Sequence, residues 1–251
     1  MKVAVITGAT GGIGSEFCRA LDDRGLEMMV ILGRNKDSLE RVAGGLKTPV
    51  SIFPVDLQDR QSLQSLGTMM SEKDFDIRYL VNCAGFGSFG NVQEQGPQES
   101  AGMVDLNIVA LTELSRACIP MMSHGSWIIQ VCSASAYLPL PHLAVYAATK
   151  AYVKSFTDAL RFEVRGRGIN VLEVSPGWVD TGFIDHAMET CAVPEKVFKH
   201  KVKPEDVVHQ AMRDLEHGKT RSICGMYNKL QVFVCSHFPS VASRVWINSL
   251  K

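Results

Sequence analysis

Thr7-Gly8-Ala9-Thr10-Gly11-Gly12-Ile13-Gly14 follows directly on the apolar run Val3-Ala4-Val5-Ile6. A glycine carries no Cβ, so the chain can turn sharply and bring its backbone N–H groups close to an anion. The helix expected next, residues 16–24, points its positive end and its unpaired N–H groups at the same place. Strand, glycine turn and helix in that order form the diphosphate-binding corner of a dinucleotide site. Gly8, Thr10, Gly11, Gly12, Ile13 and Gly14 are the candidate contacts there.

The next test lies about 20 residues on, at the end of the second strand. That strand, residues 27–33, runs into Gly33-Arg34-Asn35-Lys36. A carboxylate at this place bonds the 2′-hydroxyl of NAD and repels a 2′-phosphate, whereas a guanidinium bonds the phosphate in bidentate fashion. Arg34 therefore predicts NADP(H) in preference to NAD(H).

Outward from this corner, short apolar runs alternate with segments of helical period. Strands are predicted at 3–7, 27–33, 50–55, 79–82, 126–132 and 169–175, with a short last one at 222–225. Helices are predicted at 16–24, 37–46, 59–70, 97–122, 143–165 and 204–217. The strands are apolar on both faces, which predicts a parallel α/β sheet covered by helices on each side, with right-handed crossovers. Regularity breaks after Pro176. Residues 177–203 mix Gly, Pro, charge and aromatics, and a stretch this long is read as a substrate-binding loop, placed at 182–203. With no repeat or linker, residues 1–251 read as a single domain.

Bulk properties narrow the function class. The 251 residues carry 26 Lys plus Arg against 26 Asp plus Glu, so net charge is zero. That balance favours neither nucleic acid nor an anionic membrane. Seven Cys, an odd number with no Cys-x-x-Cys pair, argue against a metal site or a disulfide framework. They fit a reducing cytoplasm. The N-terminus reaches its glycines too early for a signal peptide, and no apolar run approaches the roughly 18 residues needed to span a bilayer.

Tyr146-Ala147-Ala148-Thr149-Lys150 falls in a helical segment. The i, i+4 spacing puts both side chains on one face, about 5–6 Å apart at Cβ. A phenol with pKa near 10 holds little phenolate at neutral pH, and a neighbouring ammonium lowers that pKa. The pair makes a candidate general acid/base. The strand Ile128-Ile129-Gln130-Val131-Cys132 delivers Ser133 thirteen positions before Tyr146, with Ser135 as its rival. Asn82-Cys83-Ala84-Gly85 closes another strand, and Asn107 sits inside a predicted helix, where Asn is a mediocre former.

Together these motifs resemble the short-chain dehydrogenase/reductase family. The resemblance spans nearly the whole chain: the Thr7–Gly14 turn, Asp56-Leu57, Asn82-Cys83-Ala84-Gly85, Asn107, Ser133, Tyr146-x-x-x-Lys150 and Pro176-Gly177-Trp178-Val179-Asp180-Thr181. Cys83 and Cys132 stand where Asn and Ser are common. The resemblance implies a Rossmann-type, doubly wound parallel seven-stranded sheet of order 3-2-1-4-5-6-7, and hydride transfer between the nicotinamide and a carbonyl or alcohol. It implies Tyr146 as proton donor, Ser133 as the group that polarises the carbonyl, and Lys150 as the cation that bonds the nicotinamide ribose. Asn107 would hold a water linked to Lys150. Asp56 and Leu57 would flank the adenine. Asn82, Ala84 and Gly85 would line the cofactor channel, with Pro176, Gly177, Val179 and Thr181 beside the nicotinamide. It further implies a homodimer or homotetramer. A dinucleotide-binding regulator without turnover is the alternative, though such a protein should have lost Tyr146 or Lys150. An epimerase usually carries a larger C-terminal substrate region.

Phe86, Phe89, Tyr137, Leu138, Leu140, Leu143, Trp178 and Phe183 are the expected substrate lining, which favours a hydrophobic ketone, steroid-like or acyl. The basic stretch 195–203 reads as a solvated lid, with an anionic substrate tail as the sharper alternative. Residues 230–250 alternate apolar and polar types. Packing over the substrate site or at a dimer interface is favoured there over an interfacial membrane helix.

Overall fold

The computed structural model describes residues 1–189, 191 and 193–250. Seven strands, β1 (Lys2–Thr7), β2 (Met28–Gly33), β3 (Val50–Pro54), β4 (Asp76–Asn82), β5 (Trp127–Val131), β6 (Asn170–Val174) and β7 (Arg221–Ser222), form one sheet. Their spatial order is β3-β2-β1-β4-β5-β6-β7, and every pairing is parallel.

The reason lies in strand composition. Val3, Ala4, Val5 and Ile6 are all fully buried, and successive side chains of a strand point to opposite faces. Ala4 and Ile6 join Ile31, Val81 and Ile129 in one hydrophobic layer. Val3 and Val5 join Val30, Leu80 and Ile128 in the other. Each such buried aliphatic side chain contributes about 1.5–3 kcal/mol, so both faces need a helical cover. On the first face lie α1 (Gly12–Leu21), α2 (Lys36–Ala43) and α8 (Pro204–Glu216), through Phe17, Leu39 and Val207. On the second lie α3 (Arg60–Ser71), α5 (Leu111–Cys118) and α6 (Ala144–Val164), through Leu63, Leu114 and Leu160.

The helix expected over 97–122 runs unbroken to Met121 but is not α throughout. It runs as α4 (Pro97–Val104), a π-helical turn at Asp105–Ala110, α5, and a 3-10 turn at Ile119–Met121. Its apolar residues keep a helical rhythm throughout, so nothing in the pattern marks the wider turn that holds Asn107. The segment after Pro176 contains α7 (Phe183–Ala187) and a 3-10 turn at Glu195–Phe198. Thr190 and Ala192 of the expected substrate loop, and Lys251, lie outside the described residues. The C-terminal stretch forms α9 (Met226–His237) and α10 (Pro239–Ser249). Pro239 sits in the first turn of α10, where its missing N–H is not needed.

Crossovers lead one way from β1 to β2 and the other way to β4. A crevice therefore opens above the carboxyl ends of these two strands. Thr7 fixes their relation: its Oγ1 accepts the N–H groups of Cys83 and Ala84, each at 3.0 Å.

Candidate active site

The glycine corner is sterically required. Gly8 has φ +63, and a Cβ there would lie 2.9 Å from the Ala84 backbone; one at Gly14 would lie 2.1 Å from the Gly8 carbonyl oxygen. A side chain at either place would separate β1, α1 and the turn after β4. The first turn of α1 carries no acidic residue and no side-chain cap. Its N–H groups thus face the crevice without a competing anion, which is the donor set a diphosphate requires. Arg34 is exposed just past β2, and no carboxylate among the described residues pairs with it. The neighbouring Thr10 lies against Gly33, its Oγ1 3.5 Å from where a Cβ would stand. Asp56 is exposed and accepts the Gln58 N–H at 3.0 Å. These residues fit a dinucleotide.

Beyond the corner opens a cleft of about 130 Å³, with Ile13, Gly85, Ser133, Tyr146, Lys150 and Thr181 among its lining residues. Pro176, Gly177 and Val179 line it as well. Tyr146 and Lys150 come from α6, whose inner face also carries Ala147, Val153, Thr157 and Leu160. Lys150 Nζ donates to the Val131 carbonyl at 2.9 Å and stands 5.8 Å from the centre of the Tyr146 ring. Burial lowers the Lys150 pKa and raises that of Tyr146. This differs from the expectation that Lys150 dominates: here desolvation of the phenol outweighs every neighbour. The thiols beside Lys150 are pushed up by burial too, Cys83 to about 12 and Cys132 to about 11.

Ser133 stands at the end of β5 in extended backbone, its Oγ accepting the Ser135 N–H at 3.1 Å. The Ser133 hydroxyl, followed by that of Ser135, works against the burial of the Tyr146 phenol. The Ser135 Oγ is itself buried and has no hydrogen-bond partner among the described residues. Two serine hydroxyls and one phenol therefore meet at the cleft wall.

Asn107 is held by its side chain between two elements. Its Oδ1 accepts the Phe86 N–H at 3.1 Å, and its Nδ2 donates to the Phe86 carbonyl at 2.9 Å and to Thr149 Oγ1 at 3.0 Å. The side chain clamps the loop after β4 onto α6. Gly85 lies under the same group: a Cβ there would be 2.9 Å from Asn107 Oδ1 and 3.4 Å from Lys150 Nζ. The Asn82 side chain turns away from the cleft into the interior, donating to Ser115 Oγ at 3.1 Å. Leu57 is buried in the core.

Of the expected substrate lining, Leu138, Leu140, Leu143, Trp178 and Phe183 face the cleft. Phe89 lies behind it, stacked on Trp178 at 6.0 Å, and Phe86 packs against His186. Tyr137 points elsewhere: its hydroxyl donates to Glu173, which also receives Ser175 Oγ at 2.6 Å and Arg221 Nε at 3.0 Å. Lys201 pairs with Asp180 at 3.4 Å, and none of the lysines between 196 and 203 lines the cleft. Sequence reading missed Gln231 and Trp246, which line the cleft from α9 and α10. Trp246 Nε1 donates to the Pro141 carbonyl at 2.8 Å, and Ser243 Oγ to the Pro139 carbonyl at 2.9 Å. The apolar alternation in 230–250 was the available signal. It also missed Asn228, packed so close that a Cβ on Gly177 would come within 2.3 Å of its Oδ1.

Comparison with known proteins adds a family to this geometry. The chain is 31% identical over 182 residues to an uncharacterized oxidoreductase of Staphylococcus epidermidis, covering 72% of this chain and 79% of that one. Its fold is similar to a short-chain dehydrogenase from Sphingobium yanoikuyae in complex with NADPH, with TM-score 0.81, 21% identity, and coverage of 100% and 96% of the two chains. It is also similar to a short chain dehydrogenase/reductase from Burkholderia phymatum in complex with NAD, with TM-score 0.80, 23% identity, and coverage of 93% and 92%. The short chain dehydrogenase profile matches residues 2–191, and the protein belongs to that family of oxidoreductases.

Proposed function

We propose that the protein reduces a hydrophobic ketone or aldehyde with NADPH, or oxidises the corresponding secondary alcohol with NADP. The observation that carries this reading is the meeting of Tyr146, Ser133 and Ser135 on the wall of a largely apolar cleft. When bound, the dinucleotide supplies or accepts the hydride. Every other part falls to the chain.

Gly11, Gly12, Ile13 and Gly14 hold the diphosphate at the start of α1, with Gly8 and Thr10 shaping the turn. Arg34 holds a 2′-phosphate. Solved relatives of this fold carry NADPH in one case and NAD in another, so the preference rests on the Arg34 charge. Asp56 and Leu57 border the adenine, with Asn82, Ala84 and Gly85 at the floor. Pro176, Gly177, Val179 and Thr181 bound the nicotinamide end. Ser133 donates a hydrogen bond to the substrate oxygen, and Tyr146 delivers the proton as negative charge develops there. A buried phenol with a raised pKa keeps that proton at neutral pH, which suits reduction. Lys150 is the cation nearest the Tyr146 ring and bonds the ribose. Asn107 positions the Gly85–Phe86 loop beneath both.

Leu138, Leu140, Leu143, Trp178 and Phe183 exclude water and favour an apolar substrate. The odd cysteine count without a Cys-x-x-Cys pair supports a reducing, cytoplasmic setting. Exposed Tyr152 and Phe162 on α6 support self-association as a dimer or tetramer. The test is a panel of steroid, acyl and sugar carbonyls with NADPH and with NADH, followed by loss of cofactor absorbance. Turnover of apolar ketones with NADPH is expected. Dinucleotide binding without turnover of any carbonyl would instead indicate the regulator.

A further inference from the structure

Helices α9 and α10 present two faces of opposite use. Val232, Cys235 and the Trp246 side chain are turned inward against the roof of the cleft. The other face carries apolar side chains into solvent. On α9, Met226, Leu230 and Phe233 recur at i, i+4 and i+7, and are 79%, 61% and 58% exposed. Phe238, Val241 and Val245 continue at i, i+3 and i+7, at 57%, 55% and 65%. Most large apolar side chains exposed among the described residues lie in this one stretch. An apolar face of this extent marks a binding surface.

Charge identifies what covers it. Residues 217–250 contain no Asp or Glu, while Lys229 and Arg244 stand exposed on the two helices. His200 packs against Tyr227 with ring centres 4.0 Å apart and ring planes tilted by 31°. That contact brings the loop bearing exposed Lys196, Lys199 and Lys203, against the single exposed acid Glu195, to the edge of α9. A second copy docking by two-fold symmetry would set this patch against itself. Cations would then face cations, with no carboxylate of these helices to pair them. An anionic lipid surface complements both features: headgroups meet the lysines and arginine, and the apolar side chains enter the acyl boundary.

We propose that the outer face of α9 and α10 docks the protein on an anionic lipid bilayer. No described helix is long and apolar enough to cross a membrane, so the protein lies on the surface. Gln231 and Trp246 of the same helices line the cleft, so docking places its roof at the acyl boundary, where an apolar carbonyl partitions. Only this last consequence rests on the proposed substrate class.

The experiment is flotation of the purified full chain with vesicles of phosphatidylcholine alone or mixed with phosphatidylserine. No substrate is needed, so failure of the redox reading would leave the result intact. The wild type is expected to float with the mixed vesicles and at least about tenfold less with phosphatidylcholine alone. Leu230→Ser with Phe233→Ser, both at exposed positions, should abolish flotation without changing the melting temperature. Lys229→Glu with Arg244→Glu should weaken binding to the mixed vesicles by about fivefold or more per charge. Absence of flotation with either vesicle overturns the proposal. So does a soluble dimer that ignores vesicles and is split by Phe233→Glu, because the face would then be covered by a second copy.

Discussion

The Asn107 side chain pairs with both backbone groups of Phe86, accepting its N–H at 3.1 Å and donating to its carbonyl at 2.9 Å. It thus behaves as an extra strand residue set into a helix, and the π-helical turn at Asp105–Ala110 supplies the room. Asn107→Asp keeps the shape but removes the donor to the Phe86 carbonyl and to Thr149. The change should cost about 1–3 kcal/mol, lowering the melting temperature by roughly 2–4 °C per kcal/mol. A melt equal to the wild type's would mean that the clamp contributes nothing.

Cofactor choice should follow the charge at Arg34. Arg34→Asp replaces a phosphate partner by a group that repels phosphate and bonds a hydroxyl. The ratio of NADPH to NADH affinity, measured by fluorescence titration, should fall by at least about tenfold, the equivalent of 1.4 kcal/mol. An unchanged ratio would remove Arg34 from the site.

Burial of Tyr146 has a sign that titration can read. Its pKa is raised above the ordinary 10.0, so the folded chain holds the phenolic proton more tightly than the unfolded chain. The contribution to stability is full below pH 10.0 and is lost as pH rises through the higher folded value. Lys150, lowered from 10.5, runs the other way: its contribution is full above 10.5 and is lost as pH falls through the lower folded value. The phenolate absorbance of the wild type minus that of Tyr146→Phe should show no Tyr146 phenolate below pH 10. A titration with its midpoint near neutrality would contradict the burial argument.

The buried carboxylate of Glu173 should matter although it is absent from the cleft lining. It is fully buried and bonded to Tyr137, Ser175 and Arg221, and so holds the Ala134–Tyr137 turn that follows Ser133. Glu173→Gln leaves the Arg221 cation with the longer pair to Asp158 at 3.7 Å as its remaining carboxylate contact. The loss should be roughly 2–3 kcal/mol, below that of a fully buried pair because the Arg221 side chain is 38% exposed. Tyr137→Phe removes one hydrogen bond and should cost about 1 kcal/mol. Chemical denaturation of both variants checks the order.

What the sequence made legible follows from local physics. The turn at Gly8–Gly14 and the apolar strands were readable because glycine placement and two-sided burial leave a direct mark on composition. The i, i+4 relation of Tyr146 and Lys150 was readable for the same reason. Four features were not. The π-helical turn at Asn107 keeps an ordinary helical pattern. The Tyr137–Glu173–Arg221 cluster joins residues 36 and 48 positions apart: strand pairing sets Glu173 beside Arg221, and the turn after β5 brings Tyr137 to them. The two faces of α9 and α10 read as one alternating stretch, since an apolar residue pointing at the cleft and one pointing at solvent look alike. The electrostatics of Tyr146 also escaped, because burial of the phenol is a property of the assembled cleft and not of helical spacing.

The claim on which the rest depends is that the Tyr146 hydroxyl delivers the proton. The most direct test is the NADPH-dependent reduction rate of an apolar ketone by Tyr146→Phe, with NADPH affinity measured alongside. The account predicts unchanged cofactor binding and a kcat lower by about 10²–10⁴-fold. Turnover within a few-fold of the wild type, with the dinucleotide still bound, would contradict it.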